Sequence, residues 1–182
     1  MPSTTRSLLV LGLGNLLCGD DGLGAAAVSR IDRAYETPDD ARLLDGGTLG
    51  LALLPHIEDA SDVILVDAVR DDAAIGSLVR LSGDEVAPAV QHRLSPHQIG
   101  VADLLDGARL RGRLPESLTL LGLVPGSIEL GLERSDAVEA ALPLLVDAVV
   151  AEAGRLGYRF TRRSREETIQ RDRGYVARVF GL

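Results

Sequence analysis

The chain has one cysteine, one methionine, no tryptophan, three tyrosines and two phenylalanines. One thiol cannot close an intrachain disulfide or supply a Cys-cluster zinc or iron–sulfur site. With aromatics this scarce, the core must be built from Leu, Val, Ile and Ala. Long hydrophobic runs are also missing: the one at residues 8–13 falls far short of the roughly 20 residues that span a bilayer. The first residues lack a basic region followed by a long apolar one and a cleavage site, so a cytoplasmic location with no membrane contact is expected. The balance of charge is −8. A nucleic-acid-binding protein normally needs a basic face to displace counterions, and this overall charge argues against one. The sequence has no H-E-x-x-H helix motif, which excludes a resident-zinc protease of that type, and no G-x-S-x-G elbow.

What is present is a globular balance: 182 residues, 46% hydrophobic and 25% charged, enough for one domain with a sizeable core. Residues 8–12 (Leu-Leu-Val-Leu-Gly) form a continuous apolar run stopped by glycine, the pattern of a fully buried parallel strand. Residues 24–34 are Ala-rich with helical spacing and predict the first helix. Residues 41–45 predict a second strand and 49–57 a short apolar helix. Residues 63–67 (Val-Ile-Leu-Val-Asp) predict a third strand with an acid at its C-terminal end. An alternating edge strand follows at 77–81, after Gly76. Ser95-Pro96 reads as a helix start, with the helix reaching about residue 110. A strand at 118–124 and a long amphipathic helix, capped by Ser135 and stopped at Gly157, complete the pattern. Strands alternating with helices imply an α/β fold: a mostly parallel or mixed sheet of about five strands covered on both faces. No linker splits residues 1–160, whereas 161–182 is Arg-rich and reads as a C-terminal tail of unknown role.

Ligands of open α/β sheets bind beyond the carboxyl ends of the strands. Gly12, Gly14, Asn15, Asp20 and Asp21 follow the first strand, Asp45 ends the second, Asp67 ends the third, and His97 sits in the first turn of the Pro96 helix. Two carboxylates and an imidazole suit a borderline divalent metal such as nickel or zinc. Each residue also has a plainer reading. Gly12-x-Gly14 lacks the third glycine of a dinucleotide fingerprint, its place being taken by Leu17, but a nucleotide loop stays an alternative. Asp20 and Asp21 could cap the following helix and complement its dipole, the more natural reading for Asp20. Asp45 before Gly46-Gly47 could form a turn. Asp67 is harder to dismiss, because a buried acid without a partner is costly. His97 could be an ordinary helix-start residue. His56 and His92 read as surface residues, and Cys18 as a small packed one.

At these positions the chain resembles the hydrogenase maturation endopeptidases, which trim the large subunit of nickel–iron hydrogenases. The resemblance runs in ordered blocks: Gly12-Leu13-Gly14-Asn15, Asp20-Asp21-Gly22-Leu23-Gly24, Asp45-Gly46-Gly47-Thr48, Asp67-Ala68, Ser95-Pro96-His97-Gln98-Ile99-Gly100, and residues 122–125. It covers roughly residues 8–157. It implies a three-layer αβα sandwich with a twisted sheet, and it implies that Asp21, Asp67 and His97 are the metal-binding and catalytic residues. Where relatives carry Glu, Asp21 supplies the same carboxylate on a shorter side chain.

The resemblance further implies a substrate and a scheme. The substrate is a hydrogenase large-subunit precursor whose cysteines already hold nickel. The metal is carried by the substrate rather than permanently bound, and is used for recognition. Acid-activated water or metal polarisation of the carbonyl would break the bond. A monomer suffices for a transient encounter with the precursor. The competing readings are a non-proteolytic nickel-binding maturation chaperone and a nucleotide-binding protein.

Overall fold

The computed structural model describes residues 6–91, 101–164 and 166–168. Strands β1 (Leu8–Leu13), β3 (Ala41–Gly47), β4 (Asp62–Ala68), β5 (Leu78–Ser82) and β6 (Ser117–Leu123) form one sheet in the order β3-β1-β4-β6-β5. The β3-β1, β1-β4 and β4-β6 pairs are parallel, and the edge strand β5 runs antiparallel to β6. Helices α1 (Leu23–Ala34) and α5 (Asp136–Arg155) cover one face; α2 (Leu54–Glu58), α3 (Val86–Gln91) and α4 (Val101–Leu110) lie on the other side. This is the expected α/β sandwich.

The central strands form because they are apolar on both sides. Along β1, Leu8 and Val10 face α1 and α5, while Leu9 and Leu11 face α2 and α4. The same period-2 split divides Ile64 and Val66 from Val63 and Leu65 on β4. At the start of α1 the helix meets the sheet backbone to backbone. A Cβ at Gly24 would sit 2.2 Å from the Val66 carbonyl oxygen and 2.4 Å from that of Leu13, so only glycine lets α1 seat there.

Boundaries differ from the sequence reading in instructive places. The predicted helix at 49–57 is a single 3₁₀ turn, Gly50–Leu53, followed by α2. The start of the Pro96 helix, with His97 and His92, lies outside the described residues, and α4 is described from Val101. Two strands went unforeseen: β2 (Tyr35–Glu36) pairs antiparallel with β7 (Thr161–Arg162), and Arg163 N donates to the Ala34 carbonyl at 2.8 Å. Two-residue strands carry no periodicity to read. Helix α3, six residues with a proline inside, is too short to show a helical period.

Two buried acids anchor the pole opposite the strand carboxyl ends and the β6–α5 contact. Asp62 opens β4 and accepts from Arg6 Nη2 at 2.8 Å and from Tyr158 Oη at 2.6 Å. Burial, reinforced by that bond to Asp62, pushes the Tyr158 hydroxyl up to about 12. Glu152 on α5 accepts from Arg155, Arg80 and Thr119. The Arg155 guanidinium leads these donors in outweighing burial, and together they hold the Glu152 carboxyl down at about 2. No helix among the described residues is long and apolar enough to cross a membrane.

The backbone contact at Gly24 makes a direct prediction. Gly24→Ala should lower unfolding free energy by about 2–3 kcal/mol, since backbone cannot yield as a side chain can. Gly154→Ala, in α5 with nothing within 4 Å of its Cβ, should be neutral or stabilising by up to about 1 kcal/mol. Urea unfolding of both variants checks this, and equal effects would contradict it.

Candidate active site at the sheet switch point

From β1 the chain crosses to β3 on one side, and from β3 it returns past β1 to β4. The connections leaving β1 and β4 therefore diverge, and the crevice beyond their carboxyl ends is where an open α/β sheet binds ligands. Asp67 lies near the end of β4, and the loop after β1 carries Asp21. The 3₁₀ turn Gly19–Gly22, which holds Asp20 and Asp21, packs against β4. Two of the three expected site residues thus flank the switch point. The third, His97, lies outside the described residues.

Backbone N–H groups orient both carboxylates. Gly14 has φ +109°, and a Cβ there would lie 1.7 Å from the Asp21 carbonyl oxygen. That glycine lets the loop fold back, so Asn15 N donates to Asp21 Oδ2 at 2.7 Å. Asp21 is partly exposed. Asp67 is fully buried, and its Oδ1 accepts from Ala68 N at 2.8 Å. Carboxylate oxygens suit hard or borderline divalent cations, and a neighbouring imidazole would complete a three-ligand set. Among the described residues no group of three or more His, Cys, Asp or Glu is placed to hold a metal ion.

Asp20 does something the sequence did not disclose. Its carboxylate is fully buried and accepts four hydrogen bonds: from Gly126 N (2.7 Å), Ser127 N (3.1 Å), Ser135 N (2.7 Å) and Ser135 Oγ (2.8 Å). Burial alone would raise its pKa, but the donors from Ser127, Ser135 and Gly126 outweigh it and hold the carboxyl below the usual range. Asp20 therefore does not cap α1, which shows no side-chain cap. It staples the glycine loop to the segment between β6 and α5. Ser135, at the N-cap of α5, makes no side-chain cap bond to its helix and donates to Asp20 instead. The only trace of this in the sequence is a Pro125-Gly126-Ser127 turn after an apolar strand, 106 residues from its partner.

The remaining candidates take their plainer roles. Asp45 is exposed and closes a turn, its Oδ1 accepting from Gly47 N at 3.0 Å. His56 is half-buried on α2, and Cys18 is part-buried with its backbone bridged to Gly131. A phosphate cradle requires free backbone N–H groups at the loop. Here Gly14 N donates to Gly47, Asn15 N to Asp21, and Leu17 N and Cys18 N to Asn15. Gly19 N and Asp20 N donate to Gly131 and Ser127. With those donors committed and two carboxylates following, the glycine loop does not fit a nucleotide.

The Asp20 staple is testable by stability. Asp20→Ala leaves buried N–H donors of Gly126, Ser127 and Ser135 without their acceptor, which should cost about 3 kcal/mol or more. Asp45→Ala should stay within about 0.5 kcal/mol of the parent. Chemical unfolding decides, and a mild Asp20→Ala would refute the staple.

Comparison with known proteins identifies the family and the fold. The family model for hydrogenase maturation protease matches residues 25–152. The Hydrogenase 2 maturation protease of Escherichia coli (strain K12) is 37% identical over 145 residues, covering 79% of this chain and 88% of that protein. The hydrogenase expression/formation protein HupD of Rhodobacter capsulatus is 39% identical over 150 residues, 81% of this chain and 70% of that protein. The solved structure of the hydrogenase maturating endopeptidase HybD from E. coli superposes with a TM-score of 0.83 at 34% identity, covering 87% of this chain and 98% of that one. A matching family model, relatives of this identity and a shared sheet topology place the chain in the hydrogenase maturation protease family, whose members are hydrolases of peptide bonds.

Proposed function

We propose that this chain is a cytoplasmic, monomeric endopeptidase that removes the C-terminal extension of a hydrogenase large-subunit precursor once that precursor carries nickel. The observation that carries the reading is the pair of carboxylates, Asp21 and Asp67, at the switch point of a family-type sheet. In this scheme Asp21, Asp67 and His97 reach toward the nickel held by the substrate's cysteines. The metal is cargo of the substrate and serves as its mark of readiness.

A carboxylate at the rim then acts as general base. It accepts a proton from water as the oxygen attacks the scissile carbonyl carbon. The C–N bond breaks as the departing nitrogen takes a proton, and a C-terminal peptide leaves. Charge favours this division of labour: carboxylates on one rim repel one another, and a divalent cation relieves that repulsion, so a nickel-free precursor meets a less favourable site. A non-proteolytic nickel-binding chaperone would use the same ligands and leave the substrate at full length.

Incubation with a large-subunit precursor, nickel-loaded and nickel-free, followed by intact-mass measurement, separates these outcomes. Loss of a C-terminal peptide from the loaded form alone is expected, with Asp21→Asn and His97→Ala slowing it by about 100-fold or more. Equal cleavage of the nickel-free form would refute nickel recognition. Binding of several loaded precursors without cleavage would assign the chain to the chaperone class.

A further inference from the structure

The segment between β6 and α5 is held rigidly yet presents large apolar side chains to water. Gly131 N donates to the Leu17 carbonyl at 2.8 Å, Gly19 N donates to the Gly131 carbonyl at 2.7 Å, and Cys18 and Gly131 form a parallel bridge. Beneath this double loop lies the buried Asp20 carboxylate. The Gly131 N–Leu17 carbonyl bond sets Leu17 beside the segment that carries Leu130 and Leu132. They are 57%, 87% and 73% exposed. Flexible loops expose leucines without consequence, but a stapled loop that keeps several of them out of the core marks a contact surface.

Charge narrows the occupant. Exposed Glu129 and Glu133 sit beside Leu130 and Leu132, and the partly exposed Asp21 follows two residues after Gly19. Apolar knobs interleaved with carboxylates complement a chain of apolar residues interleaved with Lys or Arg. The strip is also continuous with the switch-point acids through the Gly19–Gly22 turn.

We infer that the Leu17–Leu130–Leu132 strip, with Glu129 and Glu133, is the docking surface for a basic, apolar segment of the polypeptide substrate, lying next to the bond to be cut. The inference rests on the endopeptidase reading and deepens it. The strip holds substrate, and the acids act on what it holds.

The test uses the full chain, a nickel-loaded large-subunit precursor, and two double variants: Leu130→Ala with Leu132→Ala, and Glu129→Gln with Glu133→Gln. These side chains are exposed, so thermal melting should match the parent. The leucine pair should raise KM by about tenfold, as truncating interface anchors does, while single-turnover kcat stays within about twofold of the parent. The glutamate pair should flatten the salt dependence of kcat/KM. Leu110→Ala, at the far end of α4 and 89% exposed, should change neither. Normal cleavage by the parent with unchanged kcat/KM in both double variants would overturn the docking surface alone. If the parent cleaves nothing, the endopeptidase reading falls, and equilibrium binding of the same precursor decides separately: weaker binding by the variants supports the surface, equal or absent binding overturns it. A concentration-dependent dimer of the parent that the leucine pair abolishes would assign the strip to self-association and also overturn it.

Discussion

The buried carboxylate of Asp20 is the interaction on which the rim of this protein depends. It reaches from the turn after β1 to the segment after β6 and ties those two loops together across the end of β4. An ionised carboxylate inside a protein is tolerable only when its lone pairs are met, and here backbone N–H groups and a hydroxyl meet them. Because Asp20 and Asp21 are neighbours in one short turn, the staple also sets where Asp21 stands. The acid that holds the loop and the acid we propose for a ligand are adjacent in sequence, one fully buried and the other partly exposed.

That division runs through the molecule. At the amino ends of the strands, Asp62 is shielded by Arg6 and Tyr158, and near the edge Glu152 is gripped by two arginines. Each has cationic or hydroxyl partners that neutralise it, which is structural chemistry. At the carboxyl ends, Asp21 and Asp67 each accept a backbone N–H, which orients the carboxylate.

Much of this was legible in the chain itself, for a definite reason. β1, β4 and β6 are buried on both faces, so they read as continuous apolar runs ended by glycine or acid, and the predicted spans agree with the strands within about two residues. Asp67 could be singled out because an acid closing such a run contradicts its surroundings. Asp20 could not be read in the same way. Beside Asp21 and just before a helix, it has the local signature of a dipole-complementing residue, and the contacts that define it lie more than a hundred positions away. Ser135 misled for the same reason: it occupies an N-cap position, but a buried carboxylate competes for its hydroxyl. The β2–β7 pair and the Leu130–Leu132 loop are likewise products of tertiary contact rather than pattern. His97, legible in the Ser-Pro-His-Gln block, lies outside the described residues.

The central claim is that acids at the switch point engage nickel carried by the substrate. Nickel-edge X-ray absorption of a loaded precursor, altered at its scissile bond so that it binds without being cut, tests this most directly. On adding the protein, oxygen or nitrogen scatterers should join the substrate's sulfur ligands, and Asp21→Asn should diminish them. A nickel coordination sphere unchanged by a saturating amount of the protein would contradict the account.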